Sequence, residues 1–196
     1  MARRRFSRPL GERRYKKLFV LATEGAETEP CYFKMFEAGD KVIHVQLLKG
    51  RHKSAPPQVL RRMDAYLRKE GLRSEDEAWL VVDTDQWTEE QLQLLHQWSQ
   101  AKENYGLAVS NPQFEFWLLL HFEEGNGVVT SRECIDRLKR QLPGYQKGAV
   151  DVKQFADRVT EAVERASRRD TPPCADWPRT TGTTIYRLVQ NLMANN

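Results

Sequence analysis

The segment Ala78-Trp79-Leu80-Val81-Val82-Asp83-Thr84-Asp85 is five consecutive apolar residues running into two acids two positions apart. A continuous apolar run of this length predicts a β-strand covered on both faces. Upstream, Leu18-Phe19-Val20-Leu21-Ala22 has the same character and runs into Thr23-Glu24-Gly25. Lys41 to Leu48 alternates enough to be another strand, and Tyr105 to Val109 is a short one that leads into Ser110-Asn111-Pro112. Between these strands lie helical patterns. Glu27 to Glu37 places Tyr32, Phe33 and Phe36 on one face, with Pro30 tolerable only in its first turn. Gln58 to Lys69 turns Val59, Leu60, Met63 and Leu67 inward. Thr88, with Glu90 and Gln91 two and three residues beyond it, predicts a capped helix to about Glu103. A further helix is expected to open at Ser110-Asn111-Pro112 and reach about Phe122. Strand and helix in alternation predict an α/β fold with a mostly parallel sheet flanked by helices and joined by right-handed crossovers. The remaining segments, Ser131 to Gln141, Asp151 to Ser167 and Thr183 to Met193, read as helices, giving a strandless C-terminal extension packed on the sheet.

Composition bounds the function. The chain has 196 residues, 40% apolar and 30% charged, enough for one domain with a core that needs no staples. The longest candidate span, Phe114 to Phe122, falls short of the roughly 20 residues that cross a bilayer. The basic N-terminus leads into no apolar segment, so no secretory signal is expected. Cys31, Cys134 and Cys174 fit neither a disulfide framework nor a zinc pattern. The expectation is a soluble, cytoplasmic domain without a membrane partner. Charge is uneven: residues 1–17 hold eight of the 31 basic residues and one acid, leaving 23 basic against 26 acidic residues in the rest. The high pI therefore belongs to the tail, which is either a solubilising leader or a phosphate-binding arm.

The acids stand where an open α/β sheet binds its ligands, beyond the carboxyl ends of the strands. Glu24 follows the first apolar strand, Asp83 and Asp85 the third, and Glu115 lies one helical turn after Ser110-Asn111. Asp83 and Asp85, two apart in extended chain, point the same way. Oxygen-loving Mg²⁺ or Mn²⁺ is the natural compensation for such a pair, whereas an isolated acid after a strand also serves to cap a helix. Glu27 and Glu29 read as first-turn helix acids, with Glu29 within possible reach of the site, and Glu115 is either a ligand or another helix N-terminal acid. Lys49, Arg51, His52 and Lys53 form the densest basic cluster of the body, followed by Arg61 and Arg62. They are either a phosphate track for nucleic acid or a solvated loop and helix face. Trp87 either stacks on a base or packs as a lid. His121 reads as a core or capping histidine, and Trp79, Trp98 and Trp117 as core. There is no Walker loop.

At these residues the sequence resembles the Toprim catalytic domain, through Glu24-Gly25 and Asp83-x-Asp85. The stretches T-E-G-A-E-T-E-P-C-Y-F (23–33), V-V-D-T-D-Q-W (81–87), S-N-P-Q-F-E-F-W-L-L-L-H-F (110–122) and T-T-I-Y-R-L-V (183–189) resemble the RloB-like, or AbiLii-like, family over about Leu18 to Leu192. The third stretch makes the match specific. The resemblance implies a Toprim-like, Rossmann-like catalytic domain over 18–122, preceded by the basic tail 1–17 and followed by the helical extension 123–196. It implies a toxic effector of bacterial anti-phage defence, partnered by an ABC-like AAA ATPase encoded nearby. The activity it implies is Mg²⁺-dependent cleavage of RNA, such as tRNA, or of DNA. By motif, Glu24 matches the Toprim glutamate, Asp83 and Asp85 its paired aspartates, and Glu115 the family's own acid. Glu24, Asp83 and Asp85 are the expected metal ligands, with Glu24 alternatively a general base. The competing readings are a non-catalytic Toprim-like scaffold or sensor subunit serving the ATPase, and a phosphatase or phosphotransferase, which would have a closed pocket for a small substrate.

Overall fold

A computed structural model describes residues 17–37, 43–48, 50, 56–85 and 87–195. Its strands are β1 (Lys17–Thr23), β2 (Ile43–Leu48), β3 (Glu77–Asp83), β4 (Tyr105–Asn111) and β5 (Gly182–Thr183). They form one sheet in the order β2-β1-β3-β4-β5. The first four are parallel and β5 is antiparallel to β4. The helices are α1 (Thr28–Phe33), α2 (Pro56–Glu70), α3 (Glu89–Ser99), α4 (Phe114–Leu119), α5 (Ser131–Gln141), α6 (Lys153–Ala156), α7 (Val159–Arg169) and α8 (Ile185–Ala194), and a 3-10 turn, Lys34–Glu37, extends α1.

The apolar strands are covered on both sides. Along β1, Val20 and Ala22 join Val59 and Met63 of α2 and Leu92 and Leu95 of α3. Phe19 and Leu21 point the other way, into a larger core with Tyr32, Trp117, Leu138, Ala162 and Leu188 from α1, α4, α5, α7 and α8. This three-layer, Rossmann-like α/β arrangement explains why β1 and β3 lack polar alternation: neither face meets water. The C-terminal helices share the larger core with α1 and α4.

The order of the strands places the site. From β1 the chain steps outward to β2, then returns to the far side of β1 for β3 and continues to β4. The direction of winding thus reverses between β1 and β3, and a crevice opens at their carboxyl ends. Thr23 pairs with Val81 and Asp83 with Ser110, so the ends of β1, β3 and β4 lie side by side.

Several elements differ from the sequence pattern. The C-terminal part does contain a strand: β5 closes the edge of β4, Thr184 accepts a hydrogen bond from the Val109 amide at 2.9 Å, and the Ser110 and Thr183 hydroxyls pair at 2.9 Å. Two residues carry no period, so nothing in the pattern announces it. The same pairing draws Ser110 and Asn111 into β4, and α4 begins only at Phe114, after Pro112 and an extended Gln113. The expected helix over Asp151 to Ser167 is two helices, α6 and α7. The Arg158 between them leaves helical geometry and sets its guanidinium over the Phe122 ring, 5.3 Å from its centroid. Helix α3 carries the anticipated capping box, Thr88 with Gln91, but stops at Ser99; the chain then turns into β4, where Tyr105 stacks on Trp98 at 4.3 Å. No helix among the described residues is long and apolar enough to cross a membrane.

Candidate active site

Glu24 sits on the turn after β1, held across the crevice. Its backbone amide donates to the Val81 carbonyl at 2.9 Å. Its Oε2 accepts hydrogen bonds from the Asp83 amide at 3.1 Å and from the Trp87 indole N–H at 2.8 Å. Trp87 therefore anchors Glu24 while packing on the core layer of α2 and α3. Burial raises the Glu24 carboxyl to about 7 against these hydrogen bonds, with the charges of Glu29 and Asp85 adding to the rise.

Around it stand the other acids. Asp83 ends β3, and its carboxyl is pushed well above the usual range by burial and by the charges of Glu29, Glu24 and Glu115. Asp85 is exposed at the rim of the same cavity. Glu115, on the first turn of α4, is 1% exposed. Its Oε1 accepts from the Tyr145 hydroxyl at 3.1 Å and pairs with the Lys147 ammonium at 3.1 Å, while its Oε2 is buried with no hydrogen-bond partner among the described residues. The structure thus brings Glu24, Asp83, Asp85 and Glu115 to one cavity of about 460 Å³.

Glu29, which the sequence offers as a first-turn helix acid within reach of the site, belongs to this group. It is buried on α1, its Oε1 accepts from the Gly25 amide at 2.8 Å, and its carboxyl is raised by burial and by Glu115. A Cβ at Gly25 would lie 2.0 Å from Glu29 Oε2, so any other residue there would displace the Glu29 carboxylate from this position. Tyr145 and Lys147 escape sequence reading altogether. They sit on the connection from α5 to α6, over 100 residues from Glu24, and only the pairing of Lys-Gly at 147–148 hints at a tight turn. Burial works against the Lys147 charge, but Glu115 outweighs it and the ammonium is held above its ordinary value.

The basic candidates divide. Lys49, Arg51, His52, Lys53 and the tail up to residue 16 lie outside the described residues. Arg61 is exposed on α2. Arg62 turns inward, its Nη2 donating to the Thr23 carbonyl at 2.6 Å, beneath the turn that carries Glu24. His121 is a core residue: its Nε2 meets the Tyr32 hydroxyl at 3.0 Å, and burial lowers it to about 3, so the ring is neutral.

For a hard divalent cation the donor set is suitable in kind: carboxylate oxygens only, mutually repelling, with one buried oxygen lacking a partner. Among the described residues, however, no group of three or more His, Cys, Asp or Glu side chains is already arranged so that it could hold a metal ion. Side-chain rotation of Asp85, exposed at the rim, would have to complete such a set.

An open, Rossmann-like α/β sheet with a carboxylate cluster at its switch point is the class of protein that fold and site define. Within that class the chain belongs to the RloB-like family, whose model, described as RloB-like protein, matches residues 19–192. No curated protein and no solved structure matches the chain.

Proposed function

We propose that this chain is a metal-dependent nuclease of the Toprim type that hydrolyses phosphodiester bonds in RNA, such as tRNA, or DNA. The observation that carries the reading is the convergence of Glu24, Glu29, Asp83 and Glu115 at the β1/β3 crevice, three of them with raised carboxyls. Repelling acids held together at a switch point are costly to the fold and gain their use from a cation or a proton to be moved. Glu24, Asp83 and Asp85 are the residues that would hold Mg²⁺ or Mn²⁺, with Glu115 behind them. The bound ion would neutralise the phosphoryl oxygens and acidify a water.

The chain's own residues supply the rest. Where Asp83 and Asp85 alone hold the ion, Glu24, with its carboxyl near 7, is instead suited to take a proton from the attacking water at neutral pH. Both of its described hydrogen bonds fall on Oε2, leaving Oε1 for that task. Trp87 and the Asp83 amide fix its orientation. The described residues enclose the cavity only about halfway, which suits a polynucleotide backbone better than a small enclosed substrate. Arg61 and the basic segment at 49–53 are the cations proposed to hold neighbouring phosphates. The family resemblance extends the proposal to a toxic effector of anti-phage defence restrained or completed by an ABC-like AAA ATPase.

The test is cleavage of labelled total tRNA and of plasmid DNA by the purified chain, with Mg²⁺, Mn²⁺ or EDTA and with Asp83→Ala/Asp85→Ala as control. Metal-dependent cutting lost in the control is the expected result. If no lane cuts even with the ATPase added, the nuclease reading fails and the scaffold or sensor role takes its place.

A further inference from the structure

The residues Gln146-Lys147-Gly148-Ala149 form a tight turn between α5 and α6. The Ala149 amide donates to the Gln146 carbonyl at 3.0 Å, and Gly148 adopts φ +90°, a conformation that favours glycine. The tip of this turn enters the acidic cavity. The Gly148 amide donates to Thr28 Oγ1 at 3.0 Å, and the Lys147 ammonium reaches Glu115. Among the described residues lining the cavity, Lys147 is the one cation beside six acids. The pair is lopsided: the Glu115 side chain is 1% exposed and that of Lys147 59%.

That asymmetry has a physical consequence. A buried carboxylate cannot lose its counter-charge without large cost, but a lysine on a flexible stem, already more than half in water, re-enters solvent cheaply. The pair is therefore easily exchanged for another cation and hard to simply break. Tyr145 stays on Oε1 and the unpartnered Oε2 offers a second oxygen to whatever replaces the ammonium.

We propose that Lys147 is the resident counter-ion of this cavity, giving up Glu115 when a divalent cation binds and thereby turning its ammonium toward an incoming phosphate. Cation loading and phosphate capture are then linked through one side chain. The inference rests on the metal-dependent reading above.

The experiment is Mn²⁺ binding to the full chain, followed by electron paramagnetic resonance without nucleic acid, for wild type, Lys147→Gln and Lys147→Arg. Asp83→Ala serves as the blank that fixes which binding belongs to the cavity. With its competitor removed, Lys147→Gln is expected to bind Mn²⁺ roughly five- to tenfold more tightly, and Lys147→Arg to bind like wild type. Trypsin should also cut the wild-type Lys147–Gly148 bond faster when Mn²⁺ is present. Wild-type binding that Lys147→Gln leaves unchanged or weakens overturns the counter-ion role alone. If no variant binds Mn²⁺ in the cavity, the metal-dependent reading falls, and this inference with it.

Discussion

Two clusters of partly buried charge in this chain behave in opposite ways. At the carboxyl ends of β1 and β3, burial and neighbouring charge push Glu24, Glu29 and Asp83 up, and one Glu115 oxygen has no hydrogen-bond partner among the described residues. Beyond α7, Asp170 is also pushed up by burial, yet its carboxyl ends below the usual range. The Cys174 amide at 2.8 Å, the Tyr186 hydroxyl at 2.8 Å and Arg187 at 2.7 Å outweigh the desolvation. The second cluster ties the 170–181 connection to α8 and leaves its acid satisfied. The first leaves several acids in want of a positive charge. A cluster that serves the fold satisfies its members; one that leaves them repelling costs stability and is a candidate for chemistry.

The sharpest way to break this contrast is to remove Asp83. Asp83→Asn is expected to reduce cleavage by at least about 10³-fold while its melting temperature at pH 8 equals or exceeds that of wild type, because a repelling charge has gone. Nuclease assays and thermal melts on the same preparation read both effects, and a large loss of stability would move Asp83 into the class of structural acids. The converse change, Asp170→Ala, is expected to cost about 2–3 kcal/mol in urea unfolding, since it strips three hydrogen bonds, one of them charged, from a mostly buried carboxylate.

Acidity separates the clusters next. A carboxyl whose folded value exceeds its unfolded one binds more protons in the folded state. Its stabilising contribution is full below the unfolded value and is lost as pH rises through the folded one. For Glu24 that window runs from 4.5 to about 7. Stability is therefore expected to fall on going from pH 5 to 7.5, by about 1–2 kcal/mol once partial exposure is allowed for. Urea midpoints at the two pH values measure it, and Glu24→Gln should shrink the fall. Asp170, with a lowered carboxyl, acts in the opposite sense: its stabilisation is present above its unfolded value and lost only as pH drops below it. The smallest effect concerns orientation. Trp87→Phe deletes the indole hydrogen bond to Glu24 but keeps the ring, and is expected to slow cleavage about three- to tenfold with little change in melting temperature. An unchanged rate would make Trp87 packing alone.

Much of the sheet could be read from the chain because its determinants are local. The apolar runs at 18–22 and 78–82 are strands buried on both faces, and Thr88 with Gln91 is a capping box, each recognisable within a few residues. The placement of Glu24, Asp83, Asp85 and Glu115 in one cavity was legible for a related reason: each follows a strand or opens the helix after one, and the parallel order aligns those ends. The two-residue β5 was not legible, nor was the break before α7, since neither has a period long enough to detect.

By itself, then, the sequence determined the layered α/β class, the strand ends where the acids stand, and the match to the RloB-like family. Only the tertiary structure decided which side chains face those acids. It brought Lys147 and Tyr145 onto Glu115 from 30 or more residues away, joined Glu29 to the cluster, set Trp87 on Glu24, and turned Arg62 to the Thr23 carbonyl. The reason is physical. Secondary structure follows from hydrophobic spacing along the chain, but the partner of a charge is chosen by which loop the closed core brings within 3 Å of it, and no local pattern encodes that distance.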